Sequence, residues 1–590
     1  WHDGVGVVFG HRYGVCFIQR ARVRWRQEVF HDSGVDVGYS RHDYEKNRRH
    51  QALEWASQLK QGRVFLKSLF GQRLKNLKGC LVVILMTGTT TVWASPVPPP
   101  IRVLLDQKPA TLNPRTALDA SGQRLGALLF RGLVRIDADL GPVPDIASSW
   151  KVEEGGRRWV FTLRPDLRDH GGTPIDARKM AECLESYRIG EPPSRLRGSF
   201  TPWKSTQVRG NSEIVLELTE TDPYLERNLT LLRFFRVEGI DTACTDGPGP
   251  WVGSGAYRLD SPRPFAAPLL EGEDLKLVPA FPNDPDTPAL QFALVRDDGT
   301  RALKLIHGEV EVAQNVLSLT KTRWVASRFS DRLDLLERPG VNVSYLAFNL
   351  KHPVLKKREV RRALAHAIDR ESVIRNKMLG FGTIAGSLLA PSLPESRQSA
   401  LPENLAFDRA LAERILDSAG YPKKKDGVRF RLKYKTTSAR EGIETALIFQ
   451  NMFRKIGVEL ELDVVEPAVF LQAARKGSFE MYSSRWIGVS DGGILGRTLK
   501  TGSRDNRVSY SDPEMDRWLD AAQREGDLQK RAVLLAQVQA KMAEDLPYFP
   551  LWNWGNAMVL SNKLTGLSGT DLSRSGGYGP LTLLRWKKLK

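Results

Sequence analysis

The residues that could do chemistry are few and widely separated in this chain. The sequence has 590 residues and nine histidines, five of them within the first 73 residues in no spacing typical of metal ligands. The other four are His170, His307, His352 and His366. No HExxH, GxSxG or phosphate-loop pattern occurs. The sequence therefore carries no signature of a catalytic centre, a metal site or a bound cofactor.

Two cysteines, Cys183 and Cys244, lie in the part of the chain beyond residue 95, and no CxxC pair occurs. In an oxidising compartment these two residues could form a disulfide. Two free buried thiols are the alternative that the sequence leaves open.

The stretch KNLKGCLVVILMTGTTTVWASP (75–96) has the composition of a secretory signal. Basic residues precede a short apolar run, and Val92 and Ala94 stand where a signal peptidase requires small side chains. The run is shorter than the roughly 20 apolar residues of a membrane-spanning helix. We predict a signal peptide over 73–94; the alternative is a buried strand followed by a loop.

The segment 1–72 precedes this signal and contains no methionine, since the first methionine is Met86. It shows no sustained hydrophobic period. A signal peptide works at an N-terminus, so we predict that 1–72 is a non-native upstream extension translated in frame. A disordered basic extension is the alternative.

The charge is moderately basic, with a formal net charge of +19. The densest basic stretch, 352–370, has apolar residues at helical spacing and is typical of a solvated helix face. Nucleic-acid binders usually concentrate charge on one element. We therefore expect no nucleic-acid partner.

Strands alternate with helices along the chain, which favours an α/β fold. Alternating apolar residues predict strands over 212–220 and 458–465. Amphipathic patterns predict helices over 407–421 and 441–457, the second closed by Gly457.

Several sequence blocks share one family pattern in the family's order. They are LNP (112–114), PDIASSWKVEEGGRRWVFTLRPDLR (144–168), GSGAY (253–257), VRRALAHAIDR (360–370), IGVELEL (456–462) and DLPYFPLW (545–552). In these blocks the chain resembles the family 5 extracellular solute-binding proteins, the periplasmic peptide- and nickel-binding components of ABC importers. The resemblance covers nearly all of 101–588.

The resemblance implies an α/β fold of the type II periplasmic-binding-protein class, with two lobes and an extra small subdomain in the first lobe. It also implies a monomer that works with an inner-membrane ABC permease. The expected domains are lobe I at 95–135, 251–343 and 554–590, the inserted subdomain at 136–250, and lobe II at 344–553.

The same resemblance points to the stretch SSRWIGVSDGGI (483–494) as part of the ligand site. Trp486 matches a tryptophan of the family's cleft. Peptide binders of the family carry an aspartate three residues later that pairs with the ligand's ammonium group, whereas this chain has Val489. Either Asp491 replaces that aspartate, or the ammonium site is absent.

Further ligand contacts are predicted around this tryptophan. The segment Arg485–Gly488, which includes Ile487, is the predicted edge strand for an extended peptide. Asn113 lies in the first cleft loop of the pattern. Arg440, or alternatively Arg497, could meet a ligand carboxylate through bidentate geometry.

The function that follows is a periplasmic protein that captures a peptide by hinge closure and delivers it to an ABC importer, without enzymatic activity. The alternative within this class is a binder of a metal chelate, a sugar or a modified peptide. A secreted hydrolase and a cytosolic transcription regulator are the alternatives from other classes.

Overall fold

A mixed eleven-stranded sheet runs through the part of the chain that the computed structural model describes. The described residues are 98–117, 119–264, 274–281, 284–396 and 405–588. The predicted extension 1–72 and the predicted signal peptide 73–94 lie outside them. Within the described residues, no helix is long and apolar enough to cross a membrane.

The described part of the chain begins with a parallel strand and a helix, followed by a hairpin. Its first elements are β1 (Ile101–Leu105), α1 (Ala120–Leu129), β2 (Val134–Ile136) and β3 (Pro142–Pro144). Helix α1 begins at a standard cap, because the Asp119 side chain accepts a hydrogen bond from the Gly122 backbone N–H.

The inserted subdomain consists of a four-stranded antiparallel sheet in the order β4-β5-β7-β6, with a helix and short connecting elements. Its elements are β4 (Ala147–Glu153), β5 (Arg158–Leu163), α2 (Ala177–Ile189), β6 (Trp203–Arg209), β7 (Glu213–Leu218), α3 (Leu225–Leu229), β8 (Arg236–Val237) and β9 (Trp251–Val252). Cys183 and Cys244 form a disulfide that ties α2 to the loop after β8. The pairing that the sequence left open is therefore present.

The chain then completes lobe I and crosses into lobe II. These elements are β10 (Tyr257–Leu259), β11 (Leu275–Pro279), β12 (Leu290–Leu294), α4 (Asp298–Ile306), β13 (Val312–Gln314), α5 (Leu319–Arg328) and the crossing strand β14 (Leu333–Phe348).

Lobe II packs helices on both sides of its strands before the second crossing strand returns to lobe I. Its elements are α6 (Arg358–His366), α7 (Arg370–Asn376), β15 (Gly382–Ile384), α8 (Arg409–Ser418), β16 (Phe430–Thr437), α9 (Arg440–Lys455), β17 (Val458–Val465), α10 (Pro467–Lys476), β18 (Met481–Trp486), α11 (Gly493–Leu499), α12 (Pro513–Arg524), α13 (Leu528–Asp545) and β19 (Tyr548–Ser561). The short strands β20 (Leu564–Thr565) and β21 (Arg585–Trp586) close lobe I.

Among the described strands of the large sheet, β14 and β19 are the pair that continues from one lobe into the other. They pair antiparallel over 333–339 in lobe I and over 343–347 in lobe II. Pro339 and Gly340 stand at the interruption between these two paired stretches. Proline cannot donate to a strand ladder, which is consistent with this break.

Each lobe has its own apolar core, and one cluster is shared between them. The lobe II cluster around Tyr345, Tyr482 and Val489 also contains Leu140 from the β2–β3 turn, where the inserted subdomain of the first lobe is predicted to begin. The exact domain boundaries given above stay predictions.

Candidate functional site

Strand direction brings the carboxyl ends of both lobes' strands toward each other. β14 runs from lobe I to lobe II, and β18 is antiparallel to it, so β18 ends facing lobe I. β19 runs back into lobe I, and β13 is antiparallel to β19 and parallel to β1. The carboxyl ends of β1 and β13 therefore face lobe II. Ligands of open α/β sheets bind at such strand ends.

The strand β18 has one free edge where it approaches lobe I. Met481 and Tyr482 pair with both β14 and β16, whereas the segment 483–486 pairs only with β14. The strand ends at Trp486, so the prediction that it extends through Gly488 is wrong. Gly488 has a φ of 70°, in the left-handed region, which ends the extended conformation.

The two residues after β18 lie on the surface. Ile487 is 71% exposed, an unusual degree for an isoleucine. The Gly488 backbone N–H donates to the Asn342 side-chain oxygen at 2.9 Å, which fastens this turn to the crossing strand β14.

Trp486 stands in a fixed aromatic wall. Its ring stacks on Tyr345 with centroids 5.7 Å apart and an interplanar angle of 20°. The guanidinium carbon of Arg507 lies 4.9 Å from the centre of the Trp486 ring. The buried indole N–H has no hydrogen-bond partner among the described residues.

Arg485 points away from Trp486, as neighbouring residues of a strand must. Its guanidinium lies 3.7 Å from the ring centre of Trp554 and forms an ion pair with Glu441 of α9. Burial lowers the pKa of Arg485, and the Glu441 charge opposes this shift. Arg440 is the neighbour of Glu441, but its side chain is 92% exposed and pairs with Glu444 at 2.8 Å.

Val489 and Asp491 lie in one loop but in different surroundings. Val489 is buried in the shared apolar cluster, so it offers no polar group to a ligand. Asp491 is 7% exposed. Its carboxylate accepts hydrogen bonds from the Gly493 backbone N–H and the Ser490 hydroxyl. Asp491 thus lies in the same loop as the predicted position, two residues further on.

The loop around Asp491 touches the inserted subdomain. A β-carbon placed on Gly492 would lie 3.3 Å from the Tyr224 hydroxyl and 2.3 Å from a Leu535 methyl carbon. A larger residue at position 492 would therefore require the Leu535 side chain to move. Asp222 lies near the same loop, close enough for the charge of Asp491 to act on it. Burial is the main cause that raises the pKa of Asp222 to about 6, and the charge of Asp491 adds to this shift.

A buried ion bridge joins the subdomain to lobe II beside this loop. Arg227 donates from one nitrogen to the Glu395 carboxylate at 3.0 Å and to the Ser490 carbonyl oxygen at 2.8 Å. The Glu395 side chain is fully buried, and Arg531 approaches it at 3.9 Å. We refer to Arg227, Glu395 and Arg531 as the interlobe bridge.

Asn113 and Arg497 lie apart from this arrangement. The Asn113 side-chain nitrogen donates to Asp246 at 2.6 Å, and its oxygen accepts from the Arg115 backbone N–H. Asn113 thus fastens the first loop of lobe I to the subdomain. Arg497 lies on α11. Within the described residues, neither side chain forms a hydrogen bond, ion pair or ring contact with Trp486, and both assignments stay predictions.

Sequence reasoning missed four residues of this arrangement: Tyr224, Arg227, Glu395 and Arg531. Arg227 stands in the short helix α3, within the polar stretch TDPYLERN (221–228), whose charges are typical of a solvent-exposed face. Glu395 lies in an isolated turn, and its partners are 168 and 136 residues away along the chain. In the described residues, no three His, Cys, Asp or Glu side chains form a metal-binding group.

Comparison with known proteins identifies the family. The profile of the bacterial extracellular solute-binding proteins, family 5 (middle region), matches residues 141–497. This chain belongs to that family. The members of this family are solute-binding proteins rather than enzymes. The homologues of this chain in the family are periplasmic or extracellular.

The curated relatives differ in the solutes that their names give. OppA of Bacillus subtilis, an oligopeptide-binding protein, is 22% identical over 503 residues, which is 79% of this chain and 90% of OppA. The probable deoxycholate-binding periplasmic protein YgiS of Escherichia coli is 25% identical, over 75% of this chain and 86% of YgiS. The nickel-binding periplasmic protein of Escherichia coli is 24% identical, with the same two coverages.

Solved structures confirm the predicted two-lobed fold class. NikA from Brucella suis, solved with Fe(III)-EDTA, superposes with a TM-score of 0.73 at 21% identity, covering 83% of this chain and 100% of NikA. AppA from Bacillus subtilis, solved with a nonapeptide, gives a TM-score of 0.64 at 19% identity, with the same coverages.

Proposed function

We propose that this protein is the substrate-binding component of an ABC importer and that it encloses a short extended peptide between its lobes. The free edge of β18 over 483–486 carries this proposal. An extended peptide that adds to such an edge gains main-chain hydrogen bonds whatever its side chains are. Affinity then depends little on peptide sequence.

The residues around this edge suit an extended peptide. Trp486 offers a rigid apolar wall, and Ile487 offers an exposed apolar side chain at the end of the strand. Aromatic side chains provide much contact area at a low cost in conformational entropy. Binding here involves no bond breaking, and the protein acts as a carrier rather than an enzyme.

Asp491 is the proposed partner for the ammonium group of the peptide. Its carboxylate accepts two hydrogen bonds within its own loop, and each carboxylate can accept about four. Capacity for a further donor therefore remains. The nearby Asp222 adds negative charge on the opposite side of the interface.

A non-peptide solute is the second candidate, and Val489 favours it. Val489 stands where the peptide-binding pattern has the ammonium-binding aspartate. The Val489 side chain is buried in the apolar core. The relatives named as a nickel-binding protein and a probable deoxycholate-binding protein support this candidate.

We place the site of action outside the cytoplasm, in the periplasm. The disulfide between Cys183 and Cys244 supports this location, because such bonds persist mainly in oxidising compartments. The protein would there load an ABC permease in the inner membrane and work as a monomer.

Binding of peptides with modified backbones tests the edge-strand proposal. We expect the purified protein to bind a mixture of short peptides, measured by native mass spectrometry and calorimetry. The same peptides N-methylated at alternate residues lose donors and should bind several-fold more weakly for each lost hydrogen bond, about 0.5–1.5 kcal/mol apiece. Equal affinity for both sets would contradict main-chain pairing.

The variant Trp486→Ala provides the matched test of the side-chain wall. We expect peptide affinity to fall about tenfold or more, as for a truncated aromatic anchor. Trp324→Ala is the control, since Trp324 is 49% exposed on α5 of lobe I. A protein that ignores all peptides but binds nickel–histidine or deoxycholate would favour the second candidate.

A further inference from the structure

Lobe I presents its own polar cluster at the carboxyl ends of β1 and β13. These ends face lobe II, as the strand directions require. Asn315 follows β13 directly, with a φ of 55°. Arg124 lies on α1, the helix that follows β1 along the chain. Ligands of open α/β sheets bind in the crevice outside such strand ends.

A loop of the C-terminal segment positions Arg124. The Gln314 side-chain nitrogen donates to the Gly576 and Gly577 carbonyl oxygens, both at 3.2 Å. This contact fixes the following Tyr578, which is 1% exposed. The guanidinium carbon of Arg124 lies 5.7 Å from the centre of the Tyr578 ring. The arginine therefore rests on a fixed aromatic support.

Arg124 and Asn315 come together at Gly576. A β-carbon placed on Gly576 would lie 2.9 Å from the Asn315 side-chain nitrogen and 3.7 Å from a terminal nitrogen of Arg124. The φ of Gly576 is 76°, a conformation that favours glycine. The Asn315 nitrogen also donates to the Asn556 side-chain oxygen at 3.0 Å, which orients the amide.

Arg124 differs from the arginines of the lobe II site because no acidic partner for it occurs among the described residues. Arg485 pairs with Glu441, and Arg440 pairs with Glu444. No carboxylate of the described residues lies within ion-pair distance of Arg124. Burial raises the pKa of Tyr578, whereas the charge of Arg124 and its hydrogen bond to the Tyr578 side chain lower that pKa. Half-buried arginines in such positions suit planar, bidentate anions.

We propose that Arg124, together with the Asn315 amide, forms a carboxylate-binding subsite on lobe I. The occupant is a carboxylate of the captured solute, either the C-terminus of a peptide or an acidic side chain. This inference rests on the proposed function, and it adds a ligand group that the free edge of β18 does not specify. A peptide bound through both lobes would then pull the lobes together.

Paired ligands test the subsite directly. Short peptides with a free C-terminus are compared with the same peptides amidated, and Asp-containing peptides with their Asn counterparts, by calorimetry. Succinate, citrate and glycerol phosphate form a second panel, measured by thermal shift. Arg124→Gln should weaken binding of the carboxylate ligands about ten- to hundredfold, as expected for a lost charge-assisted hydrogen bond, and leave the amidated ligands unchanged.

Two further variants keep the result interpretable. Arg124→Lys retains the charge without the planar fork and should restore part of the affinity. Arg178→Gln is the matched control, because the Arg178 side chain is 65% exposed on the subdomain helix α2. Thermal unfolding of each variant in the absence of ligand separates a folding defect from a binding defect.

The outcomes separate this inference from the proposed function. Peptide binding that is insensitive both to amidation and to Arg124→Gln would overturn the subsite and leave the peptide proposal intact. Failure of all peptides, with a succinate, citrate or phosphate shift that Arg124→Gln abolishes, would support the subsite and overturn the peptide proposal. No anion response in any arm would overturn the subsite.

Discussion

Acidic side chains outnumber basic ones where the inserted subdomain meets lobe II. The acidic residues are Asp222, Glu226, Glu395 and Asp491, and the basic residues are Arg227 and Arg531. Burial raises the pKa of Asp222 and of Glu226. These two residues are therefore the ones through which the interface can take up protons. Their response to pH also reports how well the interface excludes water.

Asp222→Asn should flatten the pH dependence of stability. The pKa of Asp222 is about 6 in the folded protein, above the value of about 4 in an unfolded chain. Its contribution to the free energy of unfolding is therefore present below about pH 4 and is lost as the pH rises through about 6. Asparagine retains the acceptor for the Tyr224 backbone N–H but does not titrate.

The measurement is urea unfolding from about pH 4 to pH 7. We expect the wild-type protein to lose about 2–3 kcal/mol through Asp222 over this range, and the variant to lack that part of the slope. Asp331→Asn is the control, since Asp331 is exposed in lobe I. Parallel pH profiles for wild type and Asp222→Asn would contradict a buried, proton-binding Asp222.

At the scale of elements, the crossing strands decide how the lobes connect. β14 pairs with β19 on either side of an interruption at Pro339 and Gly340. A β-carbon placed on Gly340 would lie 2.6 Å from the Trp554 carbonyl oxygen and 2.8 Å from the Asn556 side-chain nitrogen. The close contact is with backbone, which cannot move aside as a flexible side chain can. The interruption thus requires glycine for steric reasons.

Gly340→Ala should therefore destabilise the protein by about 1–3 kcal/mol, the usual cost of forcing a methyl group into an occupied space. Guanidinium unfolding monitored by tryptophan fluorescence measures the change. Gly526→Ala is the matched control, because a β-carbon there meets nothing within 4 Å. A Gly340→Ala protein as stable as the control variant would show that the two strands can separate at this point without cost.

Local sequence patterns predicted the helices and strands better than they predicted the contacts between distant side chains. The strand predicted over 458–465 has those bounds as β17, since its apolar residues alternate with a period of two. The strand around Trp486 ends two residues earlier than predicted, because the backbone conformation of Gly488 is set by its contact with Asn342. The partners of Arg227 and Asp491 come from distant segments, and one sequence contains no signal for such pairs.

At the scale of the whole molecule, the interlobe bridge joins two parts of the fold beside the Asp491 loop, where Arg227 donates to the Ser490 carbonyl oxygen. Arg227 belongs to the subdomain, whereas Glu395 and Arg531 belong to lobe II. Hinge closure brings such groups together and hinge opening returns them to water. A buried pair contributes little net free energy, but a single buried charge without its partner costs several kcal/mol.

Arg227→Met should therefore shift the protein toward an open form. Glu395 would keep only the more distant Arg531, and opening of the cleft allows water to reach its carboxylate. We expect a larger separation of fluorophores placed on the subdomain and on lobe II. We also expect about tenfold or greater loss of solute affinity, because the closed, solute-bound form contains the buried Glu395 carboxylate without its closest partner. The double variant Arg227→Met/Glu395→Gln should recover much of the affinity, because it leaves no unpaired carboxylate. Unchanged fluorophore separation together with a large loss of unfolding free energy would instead make the bridge a support of the folded state in both forms.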